Sequence, residues 1–134
     1  MKIIYGPKGT GKTQMAIDGA NNALLTAKGN VLFVADTAKN SIYLKPQIKF
    51  IDASRFDIQG QEGLRGFLKG LVAANADNEI IYIDSIKRIT KKELSELSAI
   101  FSALEWIEAN YDVEFILTCS GDKNSLPDFI VKHI

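Results

Sequence analysis

Three observations predict a three-layer α/β/α fold built on a mostly parallel sheet. Five short apolar runs, rich in Ile, Val, Phe and Tyr, recur along the 134 residues. Most are apolar continuously rather than alternately, which suits strands covered on both faces. Stretches of helical period lie among them, and strands alternating with helices mean βαβ crossovers with helices on both sides of the sheet.

Taken in order, "KIIY" (2–5) is the first strand, and a helix follows from Lys12 to near Gly29, a residue suited to a helix C-terminus. "VLFVAD" (31–36) is the second strand, and "TAKNSIYLKP" (37–46) a connection with room for one helical turn. "QIKFIDA" (47–53) is the third. Next, Leu64, Phe67, Leu68, Leu71 and Val72 fall on one helical stripe. After the fourth strand, "EIIYID" (79–84), a second stripe holds Leu94, Leu97, Ile100, Phe101, Leu104 and Ile107, with Lys92, Glu93 and Glu96 largely off it. "VEFILTCS" (113–120) is the fifth strand and "SGDKNSLPD" (120–128) a loop. For the end of the chain two readings stand: a helix with Ser125 as N-cap and Asp128 three residues on, or a sixth strand, "FIVKHI" (129–134). With no internal repeat, low-complexity tract or linker, residues 1–134 read as one domain.

Composition narrows the function. Hydrophobic residues make up 46% and charged residues 24%, as in ordinary globular domains, and the formal net charge is zero. Bulk charge therefore does not support nucleic acid or an anionic membrane as partner. A single cysteine, Cys119, allows no intrachain disulfide, and no apolar run reaches eighteen residues. With the first strand at the very start leaving no space for a signal peptide, a soluble cytoplasmic protein is expected.

"GPKGTGKT" (6–13) carries the chemistry. Gly6, Gly11, Lys12 and Thr13 fit G-x-x-x-x-G-K-[ST], with a strand before and a helix after. Glycines at 6, 9 and 11 let the backbone approach an anion, and the freed amides sit at the positive end of the following helix. Lys12 brings a compact charge to the β- and γ-phosphates, and Thr13 a hydroxyl for the Mg²⁺ bridging them. The candidate nucleotide contacts are thus Gly6, Pro7, Lys8, Gly9, Thr10, Gly11, Lys12, Thr13 and Gln14. Lys8 reads either as a further phosphate contact or as a solvated rim side chain. A chance match in so short a chain is on the order of one in a hundred or rarer.

Such a loop needs a carboxylate for the metal's coordination shell, and "IIYID" supplies Asp84 where a buried strand leaves the sheet. Ligands of open parallel sheets bind beyond the carboxyl ends of the strands, which puts Asp84 on the loop's side. An Asp there also serves as a plain turn or cap residue.

Together these segments resemble the RecA-like group of P-loop ATPases, the fold of recombinases and ring helicases. "IIYGPKGTGKTQMAI" is similar to that core's opening strand, loop and helix, and "IIYIDSIKRIT" has the Asp-Ser pair that follows its acidic strand. "VLFVADTAKNSIYLK" and "IKFIDASRFDIQGQEGLRGFLKGLV" extend the likeness across most of residues 2–120. The resemblance implies strand order 3-2-4-5-1, ATP or ADP with Mg²⁺, an unidentified protein partner and a homo-oligomer.

It also implies three roles. Asp36 falls where the family keeps the glutamate that polarises the attacking water, Tyr43 where an aromatic ring stacks on adenine, and Ser120 where recombinases keep a glutamine that senses the γ-phosphate. Asp36 and Ser120 depart from the pattern. Aspartate reaches about 1.5 Å less far than glutamate, one C–C bond, and a misplacement of that order costs roughly a hundredfold in rate. Residue types alone read Asp36 equally as a helix cap and Tyr43 as a packing residue. Arg55, Arg65 and Arg88 are the only arginines, each a finger toward a neighbouring subunit's nucleotide or a solvated side chain. Cys119 and His133 read as structural. "SGDKNS" is not the guanine-reading Asn-Lys-x-Asp pattern, so ATP is preferred. The expected activity is a slow Mg²⁺-dependent ATPase coupled to a partner; the alternatives are a non-hydrolysing switch or scaffold and a small-molecule kinase.

Overall fold

In a computed structural model that describes residues 1–134, five strands form one parallel sheet. They are β1 (Lys2–Gly6), β2 (Asn30–Ala35), β3 (Lys49–Asp52), β4 (Asn78–Ile83) and β5 (Glu114–Ser120). The order β1-β5-β4-β2-β3, read from the other edge, is 3-2-4-5-1. All four pairings are parallel. The helices are α1 (Lys12–Ala23), α2 (Gly60–Ala74), α3 (Ile86–Thr90), α4 (Ser98–Asn110) and α5 (Asp128–Val131). None is long and apolar enough to cross a membrane.

β2 shows why the continuous apolar runs become central strands. Val31 to Ala35 are all buried: Leu32 and Val34 pack into the core on one face, and Val31, Phe33 and Ala35 into the core on the other. Twenty buried residues gather on the face covered by α2, α3, α4 and α5, and nine on the face covered by α1. Each fully buried Leu, Ile or Phe contributes about 1.5–3 kcal/mol relative to exposure. The sheet therefore draws most of its stability from the side away from α1. On the other side α1 rests on a smaller core of Ala16, Ile17 and Ala20 against Phe33, Tyr82 and Ile116.

Several elements depart from the sequence reading. α1 ends at Ala23, not near Gly29. Gly29 instead lets two segments touch: a Cβ there would run into the Asp77 carbonyl oxygen, and the next amide, Asn30 N, donates to that oxygen at 2.6 Å. The stripe from Leu94 to Ile107 is buried as expected but broken. Leu94–Glu96 form a 3₁₀ turn closed by a capping box between Glu93 and Glu96, and α4 starts afresh at Ser98. α3 was not expected at all. The end of the chain is helical, which settles the choice over 129–134, yet Ser125 does not cap it. Pro127 holds that position, while Ser125 Oγ accepts from Asp122 N at 3.0 Å inside the preceding turn. The segment 37–46 has its single helical turn, Ser41–Tyr43.

Candidate functional site

The carboxyl ends of β1, β5, β4 and β2 lie in a row, and each delivers one candidate side chain. β1 runs into the glycine loop. Gly9 and Gly11 take φ of 82° and 86°, the left-handed region where a Cβ is costly. Gly11 is also the N-cap of α1, with no side-chain cap bond, so the first amides of the helix have no side-chain acceptor. Gly121 N donates to Gly6 O at 2.9 Å, which ties the start of the loop to the end of β5. Within the loop, Lys12 Nζ donates to Pro7 O at 3.0 Å and Thr10 Oγ1 to the same oxygen at 2.6 Å.

Asp84 is the deepest polar residue of the site, 3% exposed. Its backbone amide makes the last bond to β2, Asp84 N to Val34 O at 2.8 Å, and this fixes where the carboxylate emerges. Thr13 Oγ1 lies 3.1 and 3.0 Å from its two oxygens, which joins α1 to β4 across 71 residues. On the other side Thr118 Oγ1 donates to Asp84 Oδ1 at 2.8 Å. Thr118 also accepts from Ser85 N at 2.7 Å. Strand register accounts for this contact: Ile83 pairs with Leu117, so the next residues, Asp84 and Thr118, meet.

Arg88 completes the group. Its Nε donates to Asp36 Oδ1 at 3.2 Å, and its terminal nitrogen lies 3.8 Å from Asp84 Oδ2. The sequence leaves Arg88 open as a finger toward another subunit, but it sits in its own chain's site. Asp36 is not a helix cap; it directly follows β2 and faces this guanidinium. Ser120 ends β5 opposite Gly6 and faces the same cleft.

The cleft between loop and strand ends measures about 260 Å³, and Lys12, Thr13, Asp84, Arg88 and Ser120 are among its lining residues. A second cavity of about 530 Å³ adjoins it on the α3 side, with Asp36 in its wall. Lys8 lines both. Tyr43 lines neither. It is 58% exposed, and its carbonyl accepts from Asn21 of α1 at 3.0 Å. Gln14 also turns aside, bonding Asp18 along α1 at 2.9 Å. Cys119 lies beside the loop, but burial pushes its thiol up to about 12 despite the opposing charge of Lys12, so it stays protonated. His133 is remote from the cleft, paired with Glu105 at 3.2 Å.

These donors suit a nucleotide with Mg²⁺. A hydroxyl and a carboxylate within 3.1 Å of each other are hard oxygen ligands, the kind Mg²⁺ takes in ones and twos while phosphate and water fill the rest. The sequence marks Ser85 only as half of the Asp-Ser pair, and does not disclose the role of Thr118 or the placement of Arg88. Thr118 had a signal, a lone hydroxyl within the apolar run "FILTC".

A model of the ATPase family associated with various cellular activities (AAA) matches residues 2–131. No curated protein matches the chain.

Proposed function

This chain belongs to the ATPase family associated with various cellular activities (AAA), and on that premise we propose a slow Mg²⁺-dependent ATPase whose nucleotide state is read by a protein partner. The observation that carries the proposal is the Thr13–Asp84 contact at 3.0 Å, which sets the hydroxyl of the loop against the buried carboxylate of β4.

In this reading the loop amides and Lys12 orient the phosphates, and Lys12 exchanges its bond to Pro7 O for the nucleotide. Thr13 and Asp84 would hold a magnesium ion, which would supply positive charge to the phosphates. Asp36 accepts the proton of the attacking water at Oδ2, the oxygen that Arg88 Nε does not engage. Arg88 lies where its charge can meet that developing on the terminal phosphate. Slowness follows from the short reach of Asp36 and from its ion pair with Arg88, which has to loosen before Asp36 can turn toward water.

That same ion pair supports a second reading, in which the chain holds ATP as a signal without useful hydrolysis. A single-turnover assay with γ-labelled ATP, Mg²⁺ and protein in excess separates the two. Free phosphate from the wild type, and none from Lys12→Ala, is the result expected of an ATPase. Retained but intact ATP leaves the switch. A small-molecule kinase has less support, since the connections carry no arginine-rich lid. Self-assembly belongs to the proposal as well, supported by Ile42 and Tyr43 standing exposed at 79% and 58% beside α1. Sedimentation that gives a monomer with and without ATP removes it.

A further inference from the structure

The 530 Å³ cavity has the size of a small-molecule site, yet only two of its twelve lining residues, Leu94 and Cys119, are hydrophobic. Its walls carry Lys8 from the loop, Lys87, Arg88, Lys91 and Lys92 from α3 and the residues after it, and only Asp36 and Glu93 as carboxylates. This positive excess stands out in a chain whose formal net charge is zero. Lys87 pairs with Glu93 at 3.0 Å and Arg88 with Asp36. Lys8, Lys91 and Lys92 pair with nothing in the chain. Lys91 is held at φ 58°, a conformation that favours glycine, yet a lysine stands there. Ser85 and Ser120 line the same space, which meets the nucleotide cleft along Lys8, Ser85, Arg88, Thr118 and Ser120.

We propose that this cavity is a second anion subsite, which takes a small phosphate-bearing molecule beside the nucleotide and holds it through Lys8, Lys91 and Lys92. Three unpaired ammonium groups around one polar space suit several negative charges better than one carboxylate, and lysine binds phosphate as a point charge. No basic excess over the whole chain offers a track for a nucleic-acid strand, since the formal net charge is zero. The position beside the nucleotide rests on the ATPase reading; the anion chemistry does not.

The test is calorimetric titration with inorganic pyrophosphate of the protein saturated with Mg²⁺ and a non-hydrolysable ATP analogue. One pyrophosphate should bind per chain, and Lys91→Ala/Lys92→Ala, on exposed side chains, should weaken it roughly tenfold. No binding, or binding unchanged in the double variant, overturns the subsite. If the analogue itself does not bind, the nucleotide reading fails separately. Pyrophosphate titration of Lys12→Ala, with and without the two lysine changes, then decides the subsite by the same criterion. A short single-stranded oligonucleotide that binds and is not displaced by pyrophosphate overturns the small-ligand assignment.

Discussion

Arg88 Nε reaches Asp36 Oδ1 at 3.2 Å, so the carboxylate proposed to accept a proton from water and the arginine proposed to meet the terminal phosphate are joined in one interaction. The pair is half-exposed on the arginine side, so its direct worth to folding is at most about 1 kcal/mol. On the proposed ATPase reading its importance is chemical. On that reading Arg88→Ala should leave the unfolding free energy nearly unchanged and lower single-turnover hydrolysis by about 10²–10³, the range for loss of a charge-stabilising donor, which outweighs the freeing of Asp36 from a pair worth at most about 1 kcal/mol. Arg88→Lys should restore little, because an ammonium cannot span Asp36 and Asp84 as the guanidinium fork does. Quench-flow on the three proteins, beside denaturant melts, measures both effects.

Asp84→Asn tests the metal reading directly. The amide can still bond Thr13 and Thr118, since both hydroxyls rotate to suit, so the fold should persist. Lost is the negative charge that Mg²⁺ requires. Mg²⁺ strengthens nucleotide binding in the wild type on this reading, and in Asp84→Asn that gain should fall by about ten- to a hundredfold. Calorimetric titrations with and without Mg²⁺ report the difference, and equal gains in both proteins would remove Asp84 from the metal site.

Thr118→Val removes two bonds at once, the 2.8 Å donation to Asp84 and the 2.7 Å acceptance from Ser85 N. Valine matches the shape and offers no partner, and Ser85 N–H is left unpaired beside a buried strand end. The expected cost is about 1–3 kcal/mol, read as a lower urea midpoint at unchanged slope.

Thr118 also marks the limit of what the sequence discloses. The sheet was legible because burial on both faces leaves a local trace, a continuous apolar run, and the same holds for the loop, whose glycines and lysine are contiguous. Strand order came from resemblance and not from periodicity. The Asp84–Thr118 contact depends on register between strands 34 residues apart, and no local pattern encodes that. α3 is too short to show helical period, so Arg88 came without a direction, although its 3.2 Å bond to Asp36 shapes the site. Gly29 misled because a glycine after a periodic run looks like a helix stop, whereas here it admits the Asp77 carbonyl.

Lys91→Gly separates stability from binding. At φ 58° lysine carries the left-handed penalty that glycine avoids, roughly 1 kcal/mol, which the greater freedom of glycine in the unfolded chain partly offsets. The variant should unfold at equal or slightly higher urea than the wild type. It should also bind pyrophosphate more weakly, opposite signs that a general loss of structure cannot produce.

The end of the chain should respond to acid. Burial pulls the Glu105 carboxyl up, but the hydrogen bonds and charge of Lys132 and His133 outweigh it and hold its pKa below the ordinary 4.5. Lys132 Nζ lies 3.0 Å and His133 Nε2 3.2 Å from Glu105 Oε1, bonds that tie the residues after α5 to α4. With the folded value below the unfolded one, the contribution is complete above about 4.5 and lost as pH falls through the folded value. Glu105 is a third exposed, so solvent screening keeps the effect under about 1 kcal/mol. Global stability should therefore change little from this source. Hydrogen-exchange protection of residues 128–134, corrected for the intrinsic pH dependence of exchange, should fall through that window in the wild type. In Glu105→Gln the corresponding step should be absent, because an amide carries no charge to lose.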